Sequence, residues 1–307
     1  MNRRGFALLA ALWLLVAFSV ASLALSAAGR ARRLAAANLV EATVVQTAAA
    51  GGLDQLRERL AMRLDAALGS ALDPWRGVDS ILPDTLALGA SRVLLRARDA
   101  GAALNLNRAT EEELRRLFVA LRVDAGEADR LAQAIADWRD PDSWHRARGA
   151  ERDVYLAAGA AHLPRDGPFQ SLAELLDVRG MTPALFARVQ PQLTLLGSGQ
   201  INVNVADRPV LLALPGMTEE AVAVLLRYRR QRHALNLVTD LQRELSPAAR
   251  RELAANLPAL LARATTETRE VEVTSEASLP GSPVRGRVSG LLVRSRGVVF
   301  YVWSRVE

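Results

Sequence analysis

An uncharged apolar stretch near the N-terminus limits the folds open to this chain more than any other feature. It begins at Phe6, directly after Arg3, Arg4 and Gly5, and it ends at Ala28. A charge-free run of about 23 residues is long enough to cross a bilayer as an α-helix. We therefore predict a transmembrane helix over residues 6–28.

A secretory signal peptide is the alternative for this stretch, because it too has a basic start and an apolar middle. Ser26, Ala27 and Ala28 are small enough for a signal peptidase site. The apolar part is, however, longer than the roughly 7–15 residues typical of a signal peptide. Basic residues lie on both sides of the span, so charge counting leaves its orientation open.

Composition allows one large domain or two smaller ones beyond the span, because the chain has 307 residues and half of them are hydrophobic. All 39 basic residues are Arg, yet the net charge is only +6 because 33 acidic residues are interspersed with them. This mixture is typical of a solvated surface and does not by itself indicate nucleic acid binding. The absence of Cys excludes disulfides and thiolate chemistry.

Residue patterns along the chain predict an α+β fold. Alternating apolar and polar residues predict strands at 91–99, 269–275, 284–294 and 297–306. Almost everything between the two groups of strands is typical of helix. We therefore predict that a helical domain, residues 108–262, is inserted into a small antiparallel sheet built from residues 29–107 and 263–307.

The N-terminal helix is predicted to continue beyond the span, to about residue 50. Gly51 and Gly52 are candidates for a kink. Leucines then recur at helical spacing on one face, which we expect to pack on the sheet. They are Leu53, Leu56, Leu60, Leu64 and Leu68.

The helical region contains an internal repeat. Residues 104–109 resemble residues 201–206, and residues 176–182 resemble residues 212–218. The repeat predicts two related subdomains, about 110–193 and 205–262, of the helix-hairpin-helix or SAM-like kind. We expect Asn107 and Asn204 to cap the helices that follow them. Gly180 and Gly216 should allow tight turns, each followed by a threonine N-cap.

Residues 201–241 also resemble the helix-hairpin-helix DNA-binding module of membrane-anchored competence receptors. Such modules present a Gly-hydrophobic-Gly turn to a phosphate. Here Thr182 and Thr218 replace the second glycine, which hinders close approach. The basic segment 227–232 would contact phosphates in this alternative and forms a solvated face otherwise. A membrane-anchored DNA-binding protein is therefore the alternative function.

An acidic segment is the candidate metal site. Asp137, Asp140 and Asp142 are followed, after a short polar loop, by Glu151 and Asp153. Oxygen ligands on a loop suit Ca²⁺, although the spacing does not match an EF-hand. The residues alone leave a solvated acidic loop equally open, because neighbouring arginines can pair with these carboxylates.

Other kinds of site find little support in the sequence. The three His residues are too scattered for a zinc site. A nucleophile elbow, a phosphate loop and a dinucleotide fingerprint are all absent. We do not expect an enzyme.

Together these motifs resemble one family. The junction Arg4-Gly5-Phe6 with its apolar helix, the Asn-containing repeat, the acidic segment and residues 179–183 are similar to general secretion pathway protein K, the large minor pseudopilins of type II secretion systems. The resemblance implies a pilin-like α+β fold with an inserted helical domain. It also implies a single-pass protein of the bacterial inner membrane with its bulk in the periplasm.

The resemblance further implies how the N-terminus is processed and used. Prepilin peptidase would remove the leader, residues 1–5, after Gly5 and methylate Phe6. The fifth residue of the mature chain is then Ala10 instead of the Glu usual in pilins. This suits a subunit with no neighbour above it, since an unpaired buried carboxylate is costly. Small residues would allow close helix packing in the membrane; they are Ala7, Ala10, Ala11 and Ala17.

Partners and a cofactor also follow from the resemblance alone. The chain would join minor pseudopilins I and J in a complex at the tip of the pseudopilus, where it initiates assembly and caps the end. Further pseudopilins would follow below it, and no nucleic acid partner is expected. Calcium sites are known in the family's helical domain, which makes Asp140, Asp142, Glu151 and Asp153 the predicted ligands.

Overall fold

The computed structural model describes residues 3–61, 75, 84–231, 234–295 and 298–306, with side chains from residue 12 onward except at position 84. It contains a long N-terminal helix, a five-stranded antiparallel sheet and a helical region. The chain forms two strands of the sheet before the helical region and three strands after it. The predicted α+β class with a helical insertion is confirmed.

Helix α1 runs over Arg3–Ala61 without interruption, so the glycine pair does not end the helix. Gly52 serves close packing instead, because a Cβ there would lie 2.6 Å from Cγ1 of Val93 on the sheet. The side chains of residues 12–40 are exposed apart from half-buried Gly29. In contrast, Leu53, Leu56 and Leu60 are buried against the sheet as predicted, while positions 64 and 68 lie outside the described residues.

The sheet draws its strands from both sides of the helical region. Its order is β1-β2-β7-β8-β9, and every neighbouring pair is antiparallel. The predicted strands are confirmed to within a few residues, whereas β1 was missed. The strands are β1 (Asp84–Leu88), β2 (Ser91–Asp99), β7 (Glu270–Ser278), β8 (Arg285–Ser295) and β9 (Val298–Val306).

Helix α1 covers one face of this sheet. Val45 and Ala49 pack with Val273, Val288 and other apolar strand residues in a single buried cluster. The two backbones also approach closely at Gly286 of β8, where a Cβ would lie 2.6 Å from the backbone of Val45. Only glycine therefore permits this contact between helix and strand.

The helical region consists of short elements. Its α-helices are α2 (Glu111–Ala120), α3 (Ala125–Arg139), α4 (Arg152–Ala157), α5 (Pro183–Val189), α6 (Arg208–Ala213), α7 (Glu219–Arg230), α8 (Pro247–Ala255) and α9 (Leu257–Arg263). Its short strands are β3 (Leu104–Asn105), β4 (Leu193–Thr194), β5 (Ile201–Asn202) and β6 (Ala264–Thr265). 3₁₀ helices cover Ala100–Ala102, Leu172–Asp177, Gln190–Gln192 and Val238–Glu244.

Two units of similar construction make up this region. Strand β3 pairs in parallel with β4, and β5 pairs in parallel with β6, so each pair closes one unit, residues 104–194 and 201–265. Asn107 donates to the carbonyl of Phe169 and accepts from its N–H, and Asn204 does the same with Leu235. The expectation that these asparagines cap helices is wrong, because their side chains tie distant segments together.

The glycine hairpins form as predicted. Gly180 and Gly216 have φ values of 88° and 71°, in the left-handed region that glycine adopts at little cost. Thr182 and Thr218 then cap α5 and α7. The two hairpins occupy different places in their units, however. The first follows a 3₁₀ helix, whereas the second joins α6 to α7. Their sequence similarity reflects a shared local turn.

A buried polar group joins the sheet to the helical region. Asp99, at the end of β2, is 2% exposed. It accepts hydrogen bonds from Nδ2 of Asn202 at 2.7 Å, from Oγ1 of Thr268 at 2.6 Å and from the N–H of Gly101 at 2.8 Å. One side chain thus fixes both connections between the two parts of the protein.

Candidate metal centre

The acidic segment lies where helix α3 ends. Asp124 caps the start of this helix by accepting from the N–H groups of Gly126 and Glu127. The apolar face of the helix is buried, and its last turn places Asp137 fully inside the protein. Asp140 follows in extended conformation and opens the loop that leads to Glu151 at the start of α4.

Three carboxylates converge on this loop. One oxygen from each of Asp140, Asp142 and Glu151 lies within 4.8 Å of the other two. Asp142 is exposed and Asp140 is half-buried, whereas Glu151 is only 2% exposed. A cation about 2.4 Å from each oxygen, a usual distance for Ca²⁺, fits this spacing. The three residues can therefore hold one hard cation.

Two oxygens of the group lack hydrogen-bond partners. They are Oδ1 of Asp140 and Oε1 of Glu151, and both are buried. A buried carboxylate without a partner is costly. Burial, together with the negative charges of Asp137, Asp140 and other nearby carboxylates, raises the pKa of Glu151 to about 7. A bound cation would therefore stabilise these carboxylates in their charged form.

Arg146 holds the loop in place. Its Nη1 lies 2.5 Å from Oδ1 of Asp137 and 2.6 Å from Oδ2 of Asp140, and its Nε lies 3.2 Å from Oε2 of Glu111 on α2. Its backbone N–H also faces the carboxylate of Asp137. Asp137 therefore pairs with Arg146 inside the protein, whereas Oδ1 of Asp140 makes no hydrogen bond and can bind an ion.

Close packing supports the loop from behind. A Cβ at Gly149 would overlap Oδ2 of Asp137, so this position needs glycine. Trp138 stacks on Phe169 with ring centroids 6.3 Å apart and meets the ring of Tyr155 edge-on at 5.4 Å. The hydroxyl of Tyr155 accepts from the N–H of Arg179 at 2.9 Å, which ties this aromatic cluster to the Gly180 hairpin.

The structure brings three of the four predicted ligands together. Asp153 lies on the exposed first turn of α4, and its carboxylate is not part of the group. Sequence reasoning included Arg146 among the arginines that could pair with these carboxylates, but it did not foresee that Arg146 and the buried Asp137 hold the loop in place. An arginine flanked by acidic segments was the available signal, but it also fits a simple surface ion pair.

The arginines invoked for DNA binding are largely engaged within the protein. Arg227 and the hydroxyl of Tyr228 both bind Glu244. Arg229 donates to the carbonyl of Ala206 at 2.5 Å and to that of Val205 at 2.9 Å. Position 232 lies outside the described residues. This arrangement weighs against the DNA-binding alternative.

The N-terminal helix is apolar enough to span a membrane. Within Leu12–Ala61, an 18-residue window has a mean hydropathy of 2.0, and none of that window is buried. Gly5, Phe6, Ala7, Ala10 and Ala11 have helical backbone, but their side chains lie outside those described. The remaining predicted packing residue, at position 17, is exposed on α1.

Comparison with known proteins finds similarity to one family. The sequence model described as "Type II secretion system (T2SS), protein K" matches residues 93–198, which include most of β2 and the carboxylate group. A type II secretion system protein K from Klebsiella pneumoniae is 37% identical over 87 residues, 27% of each chain. Over this part of its sequence the chain is similar to the protein K family. The protein K of Dickeya chrysanthemi is 32% identical over 105 residues, 33% of this chain and 28% of the relative.

The sequence matches are partial, since the chain spans between about a quarter and two fifths of the length of these curated relatives. The structural match is wider. A chain in the crystal structure of the GspK-GspI-GspJ complex from enterotoxigenic Escherichia coli has a TM-score of 0.59 and 20% identity. It covers 91% of this chain and 99% of that chain. At this identity the match establishes a shared fold.

Proposed function

We propose that this protein is a member of the protein K family and a minor pseudopilin at the tip of a periplasmic pseudopilus, where it starts assembly and caps the end. The proposal rests mainly on the architecture of the chain. An exposed apolar helix continues into a small antiparallel sheet, and a large helical region is inserted between two neighbouring strands of that sheet.

The proposed mechanism is mechanical and involves no catalysis. The apolar half of α1 packs against the corresponding helices of other pseudopilins, with Ala7, Ala10, Ala11 and Ala17 allowing close approach. The helical region adds bulk beside the sheet and blocks addition of a further subunit above. The partners we propose are minor pseudopilins I and J. They correspond to GspI and GspJ of the complex that contains the structural relative.

Membrane placement and processing follow from the same role. We propose a single pass through the bacterial inner membrane, with residues after about 29 in the periplasm. Prepilin peptidase would cleave after Gly5 and methylate Phe6. The exposed, apolar window of α1 is the support for the span.

The mass of the mature chain tests this proposal directly. The full-length protein is produced in membranes together with prepilin peptidase. The expected product starts at residue 6 and carries one added methyl group. A chain that starts near residue 29, or one that is uncut, would contradict the pseudopilin role.

Assembly gives a second test. Co-expression with I and J of the same secretion system should yield a stable equimolar complex that remains together in detergent. In a second variant, a short turn replaces the helical region, residues 100–269. This variant should still bind I and J, but it should no longer prevent further subunits from adding above the complex. Failure of the complete chain to join I and J would refute the assignment of partners.

We also propose that Asp140, Asp142 and Glu151 bind Ca²⁺. The donor set suits this ion, because all three residues offer hard oxygen ligands and two of the oxygens are buried without partners. The ion would replace the proton that the raised pKa of Glu151 favours and would draw the loop onto helix α3. Its role is structural in a chain without disulfides. The fourth predicted ligand, Asp153, stays a prediction.

A further inference from the structure

The loop between Asp140 and Glu151 carries an exposed tryptophan. Trp144 is 85% exposed, more than any other large apolar side chain among the described residues. Its backbone N–H donates to Oδ1 of Asp142 at 2.9 Å. Farther along the loop, the N–H of Arg148 donates to the side chain of Gln133 at 2.8 Å. The backbone is thus anchored while the indole points outward.

A pocket of about 630 Å³ lies beside this loop, between helix α3 and the Gly180 hairpin. Its apolar part is formed by Leu131, Ala134 and Val154. His145, the neighbour of Trp144, also lines it. An apolar side chain can enter this pocket while its neighbours in the same chain contact the indole.

Three arginines give the pocket its charge. Arg148 is 3.3 Å from Asp129, but neither Arg130 nor Arg179 has a carboxylate within 4.0 Å among the described residues. Nη1 of Arg130 and Nη1 of Arg148 each lie 4.0 Å from the point where a side chain at Gly126 would begin, so these two groups converge.

Among the described residues, no acidic group near the pocket forms an ion pair with Arg130 or Arg179. Glu127 lines the pocket, and Asp124 lies close to Gly126. The carboxylate of Asp124 is committed to the backbone N–H groups of Gly126 and Glu127, at 2.9 Å and 3.2 Å. The guanidinium groups of Arg130 and Arg179 therefore remain available to an external anion.

We propose that Trp144 and this pocket form a docking site for an extended acidic segment of a protein partner. An apolar side chain of that segment fills the pocket, and its carboxylates bind Arg130 and Arg179. Exposed Trp and Arg are the residues that most often dominate protein–protein binding. A peptide suits the site better than a phosphate backbone, because it can place its charges away from Glu127.

Peptide binding tests the proposal on the full chain in detergent with excess calcium. The probe is a labelled ten-residue peptide with one central Leu among Glu and Gly residues, and the matched probe has Lys in place of Glu. Fluorescence anisotropy should show binding of the acidic probe only. We expect the double variant R130Q/R179Q, and separately W144A, to weaken it at least tenfold.

Controls separate docking from damage to the fold. Arg243→Gln changes an exposed arginine of the second unit and should leave binding unchanged, and R130K/R179K should retain most of it. Equal binding of the two probes, wild-type affinity in W144A, or an equal loss in R243Q would overturn the proposal. Capture of phosphatidylglycerol vesicles or duplex DNA through Trp144, without peptide binding, would overturn it as well.

Discussion

Replacing Glu151 by Gln should stabilise the protein without calcium and destabilise it, relative to the wild type, with calcium. The pKa of Glu151 is raised from 4.5 to about 7 in the folded state, chiefly by burial. The folded protein therefore binds more protons than the unfolded chain between these values, and stability falls as the pH rises from 4.5 to 7. The charged carboxylate then costs about 3 kcal/mol above pH 7.

Gln has nearly the same shape and carries no charge. In chelator at pH 8, Glu151→Gln should thus raise the free energy of unfolding by up to about 3 kcal/mol, or roughly 6–12 °C in melting temperature. At pH 5 the gain should be less than about 1 kcal/mol. Calcium at a hundred times its dissociation constant should stabilise the wild type by about 2.7 kcal/mol and the variant far less.

Thermal unfolding followed by tryptophan fluorescence measures both effects in the same samples. Glu252→Gln, an exposed carboxylate of the second unit, is the matched control and should respond to neither chelator nor pH. If Glu151→Gln lowers the melting temperature in chelator at pH 8, burial does not penalise this charge and the reasoning fails. If the variant keeps the full calcium response, Glu151 is not a ligand.

Other predictions concern close approaches and assembly. Gly149→Ala places a methyl group against a buried aspartate, so it should cost at least about 2 kcal/mol and weaken calcium binding in calorimetry. Gly286→Ala should cost a similar amount in chemical denaturation, because the methyl group meets the backbone of α1. Gly167→Ala, which meets nothing closer than 3.9 Å, should be neutral, and an equal loss there would refute both arguments. Ala10→Glu should insert into membranes but disturb assembly order; unchanged secretion and unchanged tip composition would count against it.

Local periodicity was enough to predict the main elements of this fold. The alternation at β2, β7, β8 and β9, and the leucines at helical spacing on α1, report directly which face of each element is buried. Strand β1 was missed because its five residues are too few for a clear pattern. Gly51 and Gly52 do not interrupt α1, and Gly52 serves close packing on the sheet.

The candidate site was predictable in part for a similar reason. Asp140, Asp142 and Glu151 are close in sequence, so a single loop can bring them together. The position of Arg146 depends on contacts with helices α2 and α3, and no local pattern reveals such contacts. The same holds for Asn107 and Asn204, whose partners lie far along the chain. Asn107 and Asn204 each lie shortly before a helix, which suggested capping. A sequence pattern can indicate only such local hydrogen bonds.

The helical region leaves and rejoins the sheet at adjacent points. Strand β2 ends at Asp99, whose partner on the next strand is Val271, so the two connections are about 5 Å apart. Evolution can therefore enlarge, shrink or exchange everything between them while the surrounding strands keep their register. A plain hairpin would close the same gap, so the helical region is an exchangeable insertion in the sheet.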